Sequence, residues 1–325
     1  MKSILITGGA GYAGFTITQM LAQAYPQARI LVYDRNQRGC IELVSTLQKK
    51  LKNVEFVLPE KADIRDSANM EKVLAQYKPD VVVNLAAKVT DFAKNAVGKD
   101  EECASTNYVA SSNIARLCKE QGVKTFIHQS TVAIYAPGEN LKEDAPTNPV
   151  SAYVKSKFMG EEAVLQLHDS SFNVVALRVA TLVGYNIHFK YENILNIVCV
   201  RSVFKVPFTL FESALDNYKT FLDVKDNARA IMFAIEHASE MNGQVYNLTS
   251  FNATLNEILA LIKNELIEDF TYHILPEEKK NKQVYTISSE KLQALGFKPE
   301  GNISEIIRET ISQLRKTRDF YNSLL

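Results

Sequence analysis

Tyr153 and Lys157 stand four residues apart in the segment 151–157, Ser-Ala-Tyr-Val-Lys-Ser-Lys. On a helix, residues at i and i+4 share a face. A tyrosine beside a lysine on that face forms a proton-transfer device. A free phenol titrates near ~10, too high for a base at neutral pH. An ammonium close by favours the phenolate and draws that value down. A tyrosine so tuned takes a proton from an alcohol, or gives one to a carbonyl, while hydride moves elsewhere. The spacing alone is weak, because most Tyr-x-x-x-Lys pairs are plain helix surface. It gains meaning from the elements that must position the pair.

Short apolar runs alternate with helical patterns through the first half of the chain. Strands are expected at Ile4–Ile6, Ile30–Tyr33, Val54–Leu58, Val81–Leu85, Thr125–His128 and Val174–Leu177. Helices are expected over Tyr12–Ala24, Ile41–Leu51, Ser67–Tyr77, Glu102–Gln121 and from Tyr153 to about Leu167. Near-continuous apolar strands between helices predict a parallel sheet covered on both faces. The fold class is therefore α/β, a doubly wound Rossmann-type sheet. Beyond Arg178 the rhythm breaks. Residues 181–220 read as irregular, Asn227–His237 as helix and Gln244–Leu248 as one more sheet strand. From Thr254 onward the pattern is helical, with a basic loop at Glu278–Lys282. The expected division is a dinucleotide-binding domain over 1–178, with 221–249 returning to it. A smaller mixed substrate lobe takes 179–220 and 250–325.

Thr7-Gly8-Gly9-Ala10-Gly11-Tyr12-Ala13-Gly14 follows the first strand and opens the first helix. Gly8, Gly11 and Gly14 keep one dinucleotide spacing; Gly9, Gly11 and Gly14 keep the other. Such glycines permit the tight turn and let backbone N–H groups, those of Tyr12 and Ala13 included, approach a pyrophosphate at the helix N-terminus. Asp34 ends the second strand twenty residues past Gly14. A carboxylate there accepts from ribose hydroxyls and repels a 2′-phosphate, which favours NAD over NADP. Arg35 and Arg38 dissent, since either side chain suits a 2′-phosphate; their plain reading is solvated loop charge. Asp63 and Ile64 follow the third strand, where an aspartate reaches toward an adenine amino group or caps a helix. Leu85, Ala86 and Ala87 are small or apolar residues where the fourth strand end nears the cofactor.

Composition removes several classes. Lys+Arg and Asp+Glu both number 37 in 325 residues, so net charge is zero. That leaves no electrostatic footprint for nucleic acid and no polybasic membrane patch. No apolar run approaches the ~20 residues of a membrane span, and the N-terminal run is too short for a signal peptide. Cys40, Cys103, Cys118 and Cys199 form no Cys-x-x-Cys pair, and the five histidines show no ligand spacing. Reduced thiols, a cytoplasmic location and no metal site are expected.

Taken in order, the glycine turn, Asp34, Asp63, Asn84-Leu85-Ala86-Ala87 and the Tyr153/Lys157 pair resemble the extended short-chain dehydrogenase/reductases. More narrowly they resemble the NAD-dependent sugar epimerase/dehydratase family, over residues 1 to about 250. The resemblance implies that Ser130 lines the cofactor side of the fifth strand and that Thr131 is the catalytic hydroxyl. It implies that Asn107 faces the cofactor from the long helix and that Lys157 bonds the nicotinamide ribose. Leu177–Thr181 and Phe221–Asp226 match further family segments. Departures narrow the chemistry. Dehydratases of the family carry an Asp-Glu pair after the Ser/Thr; Val132-Ala133 stand here, so 4,6-dehydration is not expected. Asn84 replaces a histidine, Thr181 an asparagine, and Lys219 an arginine that grips diphosphate; lysine keeps the charge but loses the fork. Lys88, Thr131, Thr181, Lys190 and Lys219 are the substrate candidates, each equally readable as plain surface. Phe189, Tyr191, Phe204, Phe208, Phe211 and Tyr218 read as lobe core or as the wall of an apolar site. The implied activity is a nucleotide-sugar epimerase working through a keto-sugar, as a homodimer with tightly held NAD. The alternatives are a keto-sugar reductase or an alcohol- or steroid-type dehydrogenase, and a silent dinucleotide-binding sensor.

Overall fold

The computed structural model describes residues 1–35, 48–57, 62–89, 99–191, 193–266, 270–276 and 284–323. The expected positions Arg38, Cys40, Leu58 and the 278–282 loop, and most of the 41–51 helix, lie outside those residues.

Strand β1 (Ser3–Thr7) is buried at every position, so neither of its faces meets water. Only a sheet covered on both sides accommodates such a strand. It is joined by β2 (Arg29–Tyr33), β3 (Val54–Phe56), β4 (Val81–Asn84), β5 (Thr125–Thr131), β7 (Asn173–Val179) and β11 (Gln244–Leu248). The seven strands run in the order β11-β7-β5-β4-β1-β2-β3, and every neighbouring pair is parallel. This is the expected doubly wound sheet.

Helix α1 (Tyr12–Ala24) begins directly after the glycine turn. Helix α2 (Ser67–Tyr77) is capped by Asp66, whose side chain accepts from Asn69 N. The long helix expected over 102–121 is a composite, α3. It starts as α over Lys99–Cys103, widens to a π-helix over Ala104–Ala110 and returns to α over Ser111–Glu120. Helix α4 (Ala152–Leu165) is capped by Ser151, which accepts from Val154 N. It ends two residues before the expected Leu167. Leu5, Leu31, Val82, Phe126 and Val174 from the sheet share one apolar core with Ile114 of α3 and Val164 of α4.

The chain forms two units. The first is Met1–Ala136, Ala145–Val179 and Asn227–Leu248; the second is Pro137–Asp144, Ala180–Asp226 and Thr249–Leu325. The second is more ordered than the sequence suggests. Between 181 and 220, read as irregular, lie β8 (Thr181–Val183), α5 (Ile194–Val203), β9 (Phe208–Phe211), α6 (Glu212–Leu215) and the start of β10 (Lys219–Asp223). Helix α7 (Val224–Glu236) follows. Strand β12 (Phe251–Ala253) completes a three-stranded sheet, β12-β10-β8, and helix α8 (Leu255–Glu265) starts with a Thr254/Glu257 capping box. The C-terminal part is not purely helical. β13 (Tyr272–Leu275) pairs with β9, and β14 (Tyr285–Ile287) pairs with β6 (Gly138–Leu141), ahead of α9 (Glu290–Ala294) and α10 (Ile303–Ser323). Leu195, Val198, Phe221, Ile258 and Ile307 form this unit's own core. Phe189 and Phe208 are buried in it, whereas Tyr191, Phe204, Phe211 and Tyr218 are exposed.

Candidate active site

Every parallel strand of the first unit delivers its C-terminal end to one edge of the sheet, which is where doubly wound folds bind ligands. The glycine turn lies there. Gly8 has φ +70°, and a Cβ on it would stand 2.8 Å from Ala86 N, so the turn rests on the end of β4. A Cβ on Gly14 would overlap Gly8 O, which fixes how closely α1 meets the turn. Gly11 is the N-cap of α1 and supplies no side-chain cap. The first-turn N–H groups, those of Tyr12 and Ala13 included, lie at the positive end of the helix. A cradle that a Cβ would fill, ahead of such an end, fits a dinucleotide pyrophosphate.

Asp34 is placed against this turn: its Oδ2 accepts from Ala10 N at 3.0 Å. Arg35 is not solvated loop charge. Its Nη1 lies 3.3 Å from Asp63 Oδ2 and its Nη2 4.0 Å from Glu102 Oε1. Asp63 also accepts from Arg65 Nη2 at 2.6 Å. Burial opposes its ionisation, but the Arg65 bonds and the Arg35 charge outweigh that and hold its carboxyl at about 2. The helix cap is Asp66, not Asp63. Ile64 is buried in the core, and Lys88 Nζ is 2.8 Å from Glu102 Oε2. Leu85 and Ala86 are half-buried, and Ala87 is exposed.

Asn107 is bonded within the protein. It sits in the π segment, fully buried; its Oδ1 accepts from Lys88 N at 2.7 Å, and its Nδ2 donates to Lys88 O at 2.8 Å and Ser156 Oγ at 3.0 Å. It braces the chain just past β4 and the start of α4. Asn84, which replaces a histidine in the resemblance, is also buried. It accepts from Thr7 Oγ1 at 2.6 Å and donates to Ser111 Oγ and to His128 Nδ1.

Tyr153, Lys157 and Thr131 come together at the end of β5. Tyr153 lies in the first turn of α4, half-buried, with the Thr131 hydroxyl near its phenol. Burial pushes its phenol up to about 12, against the pull of the Thr131 hydroxyl. This reverses the expectation of a phenol drawn down by Lys157. Burial is the larger effect on the phenol, and the Lys157 ammonium donates to the Gln129 carbonyl. Burial draws that ammonium down to about 8, and Glu161 resists the fall. Ser130 is buried, its hydroxyl without a partner among the described residues. Val132 and Ala133 form a short 3-10 turn after Thr131, so no carboxylate stands at those two positions.

Behind the pair is a network the sequence reading missed. Glu161 receives Arg178 at 2.6 Å from Nη2 and 3.1 Å from Nε. Arg178 Nη1 donates to Tyr135 Oη at 2.6 Å, and Tyr135 Oη donates to Asn247 Oδ1 at 2.7 Å. The available signal was the continuation of the four-residue spacing, Tyr153, Lys157, Glu161.

In the second unit, Thr181 opens β8 and Lys219 opens β10; both are exposed. Phe221 pairs with Thr181, and Lys219 and Phe221 alternate onto one face of β10. Thr181 and Lys219 thus rise from one face of that sheet. Lys190 lies in the loop before α5, where its carbonyl accepts from Asn196 Nδ2 at 2.8 Å.

Known proteins resemble this chain along almost its whole length. UDP-glucose 4-epimerase of Caenorhabditis elegans is 24% identical, over 93% of this chain and 95% of its own. dTDP-D-glucose 4,6-dehydratase of Mus musculus is 25% identical, over 99% and 90%. The structure of UDP-glucuronic acid 4-epimerase from Bacillus cereus, in complex with UDP-glucuronic acid and NAD, superposes with a TM-score of 0.83 at 20% identity, covering 97% of this chain and 99% of that one. The family model described as NAD dependent epimerase/dehydratase family matches residues 4–249, the span that carries the glycine turn, Asp34 and the Tyr153/Lys157/Thr131 group, and the chain belongs to that family.

Proposed function

We propose that this chain is an NAD-dependent nucleotide-sugar epimerase acting through a transient keto-sugar. The observation that carries the reading is the grouping of Tyr153 with Thr131 near its phenol, Lys157 one turn on along α4 and no carboxylate at Val132-Ala133. Gly8, Gly11, Gly14 and Asp34 hold the dinucleotide, with Tyr12 and Ala13 offering backbone N–H groups. Bound NAD supplies reversible two-electron oxidation at the sugar carbon. Tyr153, as phenolate, takes the proton of the sugar hydroxyl and later returns it to the same oxygen. Thr131 aligns that oxygen by hydrogen bonding. Lys157 stabilises the phenolate by its charge. Thr181, Lys190 and Lys219 are proposed to hold the nucleotide diphosphate and sugar. A dehydratase needs further acid/base groups to expel water, and the turn after Thr131 offers none at its first two positions.

A reductase reading draws on one observation. Burial raises the Tyr153 phenol, which favours the protonated form that gives a proton to a carbonyl. One experiment separates the two. Purified protein is incubated with UDP-glucose, UDP-N-acetylglucosamine and UDP-glucuronic acid without added cofactor, and the C4 epimers are followed by NMR. Epimer formation is expected. No epimer even with added NAD, together with one-for-one consumption of NADH when a UDP-4-keto-sugar is supplied instead, sinks the epimerase reading.

The proposed assembly is a cytoplasmic homodimer. Cys118 and Cys199 are buried thiols of the kind a reducing compartment preserves. Among the described residues no helix is long and apolar enough to cross a membrane. Val109 on α3 and Met159 on α4 are apolar yet 47% and 46% exposed, on helices that pack together. A second copy would cover them. Val109→Glu with Met159→Glu should convert a dimer to a monomer in sedimentation velocity; a dimer that persists excludes this face.

A further inference from the structure

Tyr153, Lys157 and Glu161 form one stripe along α4, each a helical turn beyond the last. The second and third are 2% and 1% exposed. Two opposite charges at i and i+4 have been taken out of water together. Glu161 cannot move toward or away from Lys157 freely, because Arg178 of β7 grips both its oxygens. Arg178 is itself fixed. Its guanidinium lies 5.1 Å over the Tyr135 ring and donates to the Tyr135 hydroxyl, which is anchored on Asn247 of β11. Tyr135 follows the 3-10 turn that begins at Thr131. One carboxylate therefore joins the helix of Lys157, strands β7 and β11 and the turn of Thr131.

The groups that face Lys157 from each packed element are few. Its own helix offers Tyr153 and Glu161. Strand β5 offers His128, a buried imidazole that burial and the Lys157 charge keep neutral. Strand β7 offers Arg178, and Cys103 of α3 faces Tyr153. Glu161 is the one carboxylate among them, so two buried cations share a single counter-ion.

We infer that Glu161, clamped by Arg178, is the positioning residue that keeps Lys157 cationic in its buried place. It touches no reacting atom; it acts through Lys157, and the inference rests on Tyr153 and Lys157 being the catalytic pair. If its charge is removed, Arg178 remains a guanidinium because it cannot give up its proton. Lys157 is then the group that yields, and Tyr153 loses its stabilising charge.

The test is a lysine titration, which needs neither substrate nor cofactor. The full chain is enriched with 13C at lysine Cε, and Lys157 is assigned by the signal missing from Lys157→Arg. The wild-type midpoint is expected near 8, where burial places it. In Glu161→Gln it should fall by about one unit or more, a tenfold loss of proton affinity. In Arg178→Gln it should rise, because the carboxylate then answers to Lys157 alone. A purely structural role makes a different forecast. Loosening the network would let water in and move both variants up toward ~10.4. A rise in Glu161→Gln, or no change, overturns the inference. Should Glu161→Gln not fold, Glu161→Gln with Arg178→Gln removes the guanidinium as well and leaves Lys157 as the one buried cation without its counter-ion. Its midpoint should still lie below wild type, and one at or above wild type is equally fatal. Turnover of Tyr153→Phe is measured in parallel. An active Tyr153→Phe defeats the catalytic reading, whatever Lys157 titrates at.

Discussion

Burial pushes the Tyr153 phenol up in the resting protein, with Thr131 near its hydroxyl and its helper lysine turned to a carbonyl. Acid/base catalysis from such a group typically contributes about 10²–10⁴-fold. Tyr153→Phe keeps the ring and loses only the hydroxyl. Turnover should fall by roughly that factor while NAD affinity, read by calorimetry, stays within about twofold. A substantially active variant would remove Tyr153 from proton transfer. His128 predicts something different, a pH dependence of stability. It is buried and neutral, with Nδ1 accepting from Asn84 and its pKa well below the usual histidine value. In the unfolded chain it protonates near ~6.5. Below that pH the unfolded state binds the extra proton, so stability falls as pH falls. The slope approaches about 1.4 kcal/mol per pH unit. Urea unfolding of wild type between pH 6.5 and 5 should show that slope above the slope of His128→Phe. Parallel slopes would mean His128 takes a proton in the folded state.

Elements place these residues, and two glycines show how. A Cβ on Gly160 of α4 would overlap Asn107 O in the π segment. The wide π turn and the missing side chain meet at the point where Asn107 reaches across to Lys88 and Ser156. A Cβ on Gly11 meets only Gly8 O, at 3.4 Å, and extends over the uncapped helix end. The two alanine variants should therefore fail in opposite ways. Gly160→Ala overpacks the helix crossing and should cost about 1–3 kcal/mol of stability. Gly11→Ala should leave the melting temperature of the apo protein unchanged and weaken NAD binding at least about tenfold. Equal effects of both on stability would contradict the assignment of Gly11 to the cofactor. Helices with local signals were legible in the sequence: α1 behind its glycines, α2 behind Asp66, α4 behind Ser151. Helix α5 was not, because Ile194–Val203 is apolar almost all round and shows no face. The β6–β14 pairing was not, since Gly138 and Tyr285 are far apart in sequence and no local pattern announces their meeting. The π widening of α3 has no residue signature. Spacing and resemblance brought Tyr153, Lys157 and Thr131 to one place. Glu161 and Arg178 stayed hidden because a buried ion pair is written with the same letters as helix surface.

The chain passes between its two units five times, once inside α7, where residues 224–226 belong to the second unit and 227–236 to the first. A unit assembled from three separated segments holds its termini by folding the other unit's chain at the same time. Cooperative unfolding of the whole molecule is the physical consequence, although the glycine turn, Asp34 and the Tyr153 group all lie in the first unit. NAD binding there should stabilise the entire chain. A ligand at a hundred times its Kd adds about 2.7 kcal/mol when it binds only the folded state. In a chain of this size that raises the melting temperature by roughly several degrees. Calorimetry should show a single transition that moves as one when NAD is added, and moves less in Asp34→Ala. Two transitions, with only one of them shifted by NAD, would show that the units melt apart. An equal shift with NADP would show that Asp34, with Arg35 held by Asp63 and Glu102, does not select between the two cofactors. Arg35 is the reason to expect selection. Its charge is already met by two carboxylates, so a 2′-phosphate would have to displace them while approaching Asp34.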